Sequence, residues 1–192
     1  MMREQPVTLR LVGTRPLLMH NGRLADPLDP SSQRLAKLTA KRAKTLADHR
    51  EIGRVEWYGG LWTYQGQPCL PPQALCATFR EAAKSRRRAA ARAKAGLIVK
   101  DPAILEYDGP HDVDEMWKRG TFVHRTIVKV GRAKTARTRP IIPEWSATFT
   151  AWYLPSLLSD EEVFDIYSEA GFLAAIGDWR PDFGTYLVER VE

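Results

Sequence analysis

Two amphipathic helical stripes set in strand-forming sequence constrain this chain more than any other feature. Leu75, Phe79, Ala82 and Ala83 recur at helical spacing, with Arg80, Lys84 and Arg87 on the opposite side. Val163, Ile166, Tyr167 and Ala170 form the second stripe, and Ser159 with Glu162 makes a capping box in front of it. Strand patterns surround both. VTLRLV at 7–12 alternates, short apolar runs follow the first helix at 97–99 and 103–107, and TFVHRTIVKV (121–130), SATFTAWYL (146–154) and GTYLVERV (184–191) complete the set. Each helix must bury its stripe against a sheet, so the chain reads as strand, long segment, helix, two strands, helix, strand.

That is βαββαβ order. It predicts an α+β fold, a ferredoxin-like or RRM-like antiparallel sheet with helices on one face, as a single domain over 1–192. The long segment at 21–60 is a helical insertion after the first strand. A loop over 13–29 leads to a helix over 33–47 capped by Ser31 and Ser32, with Leu35, Leu38 and Leu46 on one side. A second helix over 48–57 ends at Gly59-Gly60. Residues 61–64 and 68–70 flank Gln65-Gly66-Gln67 as a small hairpin. Pro71 and Pro72 open the next helix, where a missing N–H costs nothing. Arg86 would fall on the apolar stripe. The helix is therefore expected to leave the core near Ser85, its basic end over 86–94 projecting or meeting something anionic. Residues 131–140 read as a basic loop at the tip of a β-hairpin extension, about 121–154.

Charge is segregated. Lys and Arg number 29 against 23 Asp and Glu, a formal +6. Yet 84–100 and 116–143 hold no acid, while Asp160, Glu161, Glu162, Asp165 and Glu169 cluster. A polyanion would meet a strongly positive face, and the acidic cluster would suit contact between copies. A hydrophobic fraction of 44% excludes wholesale disorder. There is no run of ~18 apolar residues, and the N-terminus has no apolar secretory core, so the expectation is a cytoplasmic protein without a membrane partner. Cys69 and Cys76 stand without His or Cys at ligand spacing and read as small core residues; no metal or cofactor is expected. No P-loop, dinucleotide fingerprint, HExxH or nucleophile elbow is present.

Three stretches read together: RPLLMHNG (15–22), GQPCLPPQALCATFREAA (66–83) and GDWRPDFGTYLV (177–188). The set resembles the RAMP superfamily, the RRM-like proteins that build CRISPR ribonucleoproteins. It is also similar to short phage and prophage proteins with an MHNG segment and a GDWRP loop. Pro72-Gln73-Ala74 stands where the family has Gly-Ser, Cys76-Ala77 where it has Lys-Gly, and Trp179-Arg180-Pro181 within its glycine-rich loop. The resemblance implies binding to the sugar–phosphate backbone of single-stranded RNA or DNA with little sequence preference. It also implies repetition as a head-to-tail homo-oligomer or a ribonucleoprotein subunit, and a β-hairpin that folds over the strand.

The candidate nucleic-acid contacts follow. Arg80 and Lys84 line one helix face, and Arg86, Arg87 and Arg88 extend it. Arg125, Lys129, Arg132, Lys134, Arg137 and Arg139 crowd the hairpin. Trp179 could stack on a base or plug the core, with Arg180 beside it. His20, Asn21 and Gly22 form the loop segment, where a lone histidine is more often structural than catalytic. Two alternatives stand: a metal-dependent ribonuclease using Asp26, for which Asp-Pro turn chemistry is the plainer reading, and a phage structural or assembly protein.

Overall fold

β1 (Gln5–Gly13) turns Val7, Leu9 and Leu11 inward and leaves Thr8, Arg10 and Val12 on the outer face, the period-2 pattern of a half-buried strand. This is a computed structural model, and it describes residues 3–86 and 89–191. After β1 come β2 (Leu17–Leu18), a 3-10 turn (Gly22–Ala25), α1 (Pro30–Thr39) and α2 (Leu46–Gly60). The hairpin β3 (Thr63–Tyr64) and β4 (Gln67–Leu70) leads into α3 (Pro72–Ala83), α4 (Ala89–Gly96), β5 (Leu97–Val99) and β6 (Ala103–Glu106). Then follow α5 (Val113–Arg119), β7 (Val123–Val130), β8 (Ala133–Ile142), β9 (Ser146–Tyr153), α6 (Asp160–Leu173) and β10 (Tyr186–Arg190).

The chain is α+β with antiparallel sheets. In the main sheet β10 pairs β1, β1 pairs β9, and β5 and β6 share the far edge of β9, with β4 and β3 beyond β6. Leu11 stands between Ala147 and Val188, which fixes the inward face of three strands at once. α3 and α6 pack on that face. Phe79 meets Tyr167 at 4.8 Å between ring centroids, and Phe149 meets the same Tyr167 at 5.2 Å. Leu9, Leu11, Leu75, Phe79, Val163 and Ile166 are all essentially inaccessible. Each contributes about 1.5–3 kcal/mol by leaving water.

A second sheet, β2-β8-β7, stands beside the first, and α2 packs against β8. The expected basic loop over 131–140 is in fact strand β8; only Gly131 and Arg132 turn the ribbon, Gly131 at φ +59°. The Lys and Arg content hid the strand, because long cationic side chains carry their charge past a pleated surface while the backbone pairs beneath. The insertion also divides differently. Asp29, not Ser31, caps α1, with Pro30 in its first turn, and Thr45 with Asp48 makes a capping box for α2. Leu46 is 76% exposed, so it joins no core stripe. α3 ends at Ala83, and of the basic tail Arg86 meets the anionic Glu169. α4 turns Ala89, Ala93 and Gly96 back inward, and Gly96 admits the close approach of Leu157 and Leu158.

Candidate nucleic-acid interface

The three stretches singled out in sequence meet at the root of the β7–β8 ribbon. β2 pairs β8, and the Met19 N–H donates to the Pro140 carbonyl at 2.9 Å. The Asp178 N–H donates to the Leu18 carbonyl at 2.8 Å, and its Oδ2 accepts from Arg139 Nε at 3.0 Å. Gly184, at φ +70°, lies so close to Ile176 that an added Cβ would stand 1.7 Å from that carbonyl oxygen. The helix α3 joins through Thr78, whose hydroxyl donates to the Ala175 carbonyl at 2.8 Å beside the Tyr186 hydroxyl at 3.1 Å. Sequence reasoning missed Thr78. Its only sign was a polar residue on an otherwise apolar stripe.

Of the loop residues His20, Asn21 and Gly22, Asn21 splints the insertion to this root. Asn21 receives Arg23 N–H on its side chain, donates Nδ2 to the Leu61 carbonyl at 3.0 Å, and pairs its backbone N–H with Gly60. Gly22 opens the 3-10 turn. His20 is half-buried. Burial, then Arg139, lowers its pKa below 6.5, and its Nδ1 is buried with no hydrogen-bond partner among the described residues. Trp179, at φ +49°, lies 5.6 Å from His124 of β7, and Phe183 lies 5.4 Å from the same ring. Burial lowers the His124 pKa as well.

The predicted cations divide sharply. Lys84 pairs with Glu81 at 2.6 Å, and Arg86 holds Glu169 in a two-point contact at 2.8 and 2.7 Å. Arg137 reaches Glu56 at 2.7 Å, and Arg139 reaches Asp178. Arg87 and Arg88 lie outside the described residues. Arg80, Arg125, Lys129, Arg132, Lys134 and Arg180 are exposed and make no ion pair among the described residues. Four of these six are on the ribbon. The acidic helix answers its own chain: Glu169 takes Arg86, Glu162 takes Arg92, and Asp160 takes Arg190.

Between the ribbon and α1–α2 runs a cleft of about 660 Å³. Lys44, Arg125, Lys134 and Arg137 supply its positive wall, with His49 beside them, Leu24, Leu35 and Ile52 its apolar floor, and no carboxylate lines it. Lys44 and His49 were not anticipated, since only the packing of α2 on β8 brings them to the ribbon. Asp26 is exposed and accepts from Leu28 N–H at 2.9 Å in a local turn. Among the described residues no group of three His, Cys, Asp or Glu is placed to hold a metal ion. Cys69 and Cys76 are buried free thiols, and burial pushes Cys69 up to about 11. No helix among the described residues is long and apolar enough to cross a membrane. Comparison with protein-family models gives no match, and comparison with curated proteins gives none.

Proposed function

We propose that this protein binds single-stranded nucleic acid through its sugar–phosphate backbone, in the manner of RAMP-type backbone subunits. The observation that carries the reading is the ribbon. Arg125, Lys129, Arg132 and Lys134 face solvent with no carboxylate partner among the described residues, while Lys84 and Arg86, just past the end of α3, are paired within the chain. Unpaired cations on a projecting element are what counterion release from phosphates requires. The strand order β10-β1-β9-β5/β6, with α3 and α6 on one face, supports a ferredoxin-like assignment, in which the ribbon is an extension between the central strands.

The test is fluorescence anisotropy with labelled RNA and DNA single strands across a salt series. Each phosphate contact contributes a slope of about −0.7 in log K against log salt. Replacing all four ribbon cations by Gln is expected to flatten that slope and weaken binding to every sequence alike. Salt-independent binding, or an unchanged slope in the variant, refutes the reading. More copies bound as the strand lengthens is the result expected of a protein that repeats along it.

A further inference from the structure

We propose that an apolar hollow beside the basic cleft receives one unstacked nucleobase. This rests on the nucleic-acid reading above and names a subsite for it. The hollow measures about 300 Å³, at the lower limit for small-ligand pockets. Leu46 of α2, Trp117 of α5 and Val123 of β7 form its walls, and His49, Arg50 and Arg125 stand at its rim. No carboxylate lines it. His49 and Arg125 line both the hollow and the larger cleft, so the two adjoin.

Two details prepare it for a flat ligand with charge on either side. Trp117 is held by Trp57 at 5.4 Å and Tyr58 at 6.0 Å between centroids, so its ring is ordered before anything binds. Arg125 crosses α2 at Gly53. A Cβ there would stand 2.6 Å from Arg125 Nη1, and without one the guanidinium reaches Thr138 Oγ1 at 3.0 Å. The arginine is thus fixed at the border between apolar hollow and basic cleft. Leu46 remains 76% exposed at the lip, an apolar surface with no intramolecular use. A base stacked on Trp117 with its phosphates toward Arg125 and His49 satisfies both kinds of surface. An apolar side chain of a protein partner leaves the cationic rim unanswered.

The experiment compares labelled oligothymidylate with an abasic phosphodiester of the same length and charge, by anisotropy at low salt. The base is expected to tighten binding about tenfold, the lower part of the range for one base stacked on an aromatic side chain. Trp117→Leu, and separately Leu46→Ser at its exposed position, are expected to bring the ratio toward one, with thermal melts confirming that each variant folds. A ratio of one in the wild type overturns the hollow as a base site and leaves the backbone reading intact. A ratio that survives both substitutions also overturns it. Failure of the wild type to bind either polymer overturns the subsite and the reading beneath it.

Discussion

Glu56→Gln tests how the ribbon is held. Glu56 lies in the middle of α2, with its side chain only 2% exposed. One carboxylate oxygen accepts from Arg137 Nη1 at 2.7 Å and the other from the Thr138 N–H at 2.8 Å. Two donors converge on one anion, so glutamine is the wrong isostere: whichever way its amide turns, an NH₂ group faces a donor. Losing a charged hydrogen bond costs about 1.5–3 kcal/mol, and stranding a buried partner costs more. Arg137 is 31% exposed and recovers part of its hydration, which brings the expected loss to about 2–3 kcal/mol. For 192 residues the unfolding entropy near the midpoint is about 0.4 kcal/mol/K, so Tm falls by about 6 °C. The assay is a thermal melt of wild type, Glu56→Gln, Arg137→Met and the double variant. The double variant is expected to lose less than the two single losses added together, since removing both partners strands no charge. An unchanged Tm in Glu56→Gln, or strict additivity, refutes the claim that this pair fastens the ribbon to the insertion.

Thr78→Val removes the hydroxyl that joins α3 to the Ala175 carbonyl while keeping its shape, and a loss of about 1–2 kcal/mol is expected in urea titration. Gly184→Ala drives a methyl group into the Ile176 carbonyl at a positive φ, so its loss should exceed that of Thr78→Val, over about 3 kcal/mol by the same titration. Acid should weaken the fold before its carboxylates titrate. His20 and His124 are both lowered below 6.5 by burial, so the unfolded chain binds more protons. Stability is then full above pH 6.5 and falls as pH drops through that value toward the lowered folded ones. Urea midpoints at pH 7.5 and 5.5 check the sign, and a higher midpoint at the lower pH contradicts it.

The two helices on the main sheet were legible because their stripes are long and periodic: Leu75 to Ala83 and Val163 to Ala170 each specify a buried face without help from elsewhere. β8 was not, because its sequence is dominated by Arg, Lys and Thr, and its strand state is imposed by pairing with β7 on one side and β2 on the other. The MHNG and GDWRP segments were recognisable as special, but not what they do. Asn21 and Asp178 act through backbone groups far away in sequence, and residue type alone does not name those partners. α5 left too short a pattern to stand out, yet it carries Trp117, the aromatic wall of the hollow.

The arginine run after α3 shows why charge patterns mislead when read along the chain. α3 and α6 pack side by side on one sheet face, so Arg86, just past the end of one helix, falls against Glu169 of the other. Arg86 and Glu169 then pair within the fold, Glu169 held below its usual carboxylate range by that arginine. A cation in such a pair adds nothing to a phosphate's attraction unless the pair breaks first. On the ribbon such pairs are confined to its root, Arg139 with Asp178 and Arg137 with Glu56, and Arg125, Lys129, Arg132 and Lys134 make no ion pair among the described residues. Among the described residues β7 is an edge strand that pairs β8, itself basic, and the buried acid beneath them, Glu56, is taken by Arg137 and Thr138. The formal charge of +6 is therefore a poor guide to the field at the surface. What a strand of phosphates meets is set by which cations lack a carboxylate within reach, and tertiary packing, not composition, decides that.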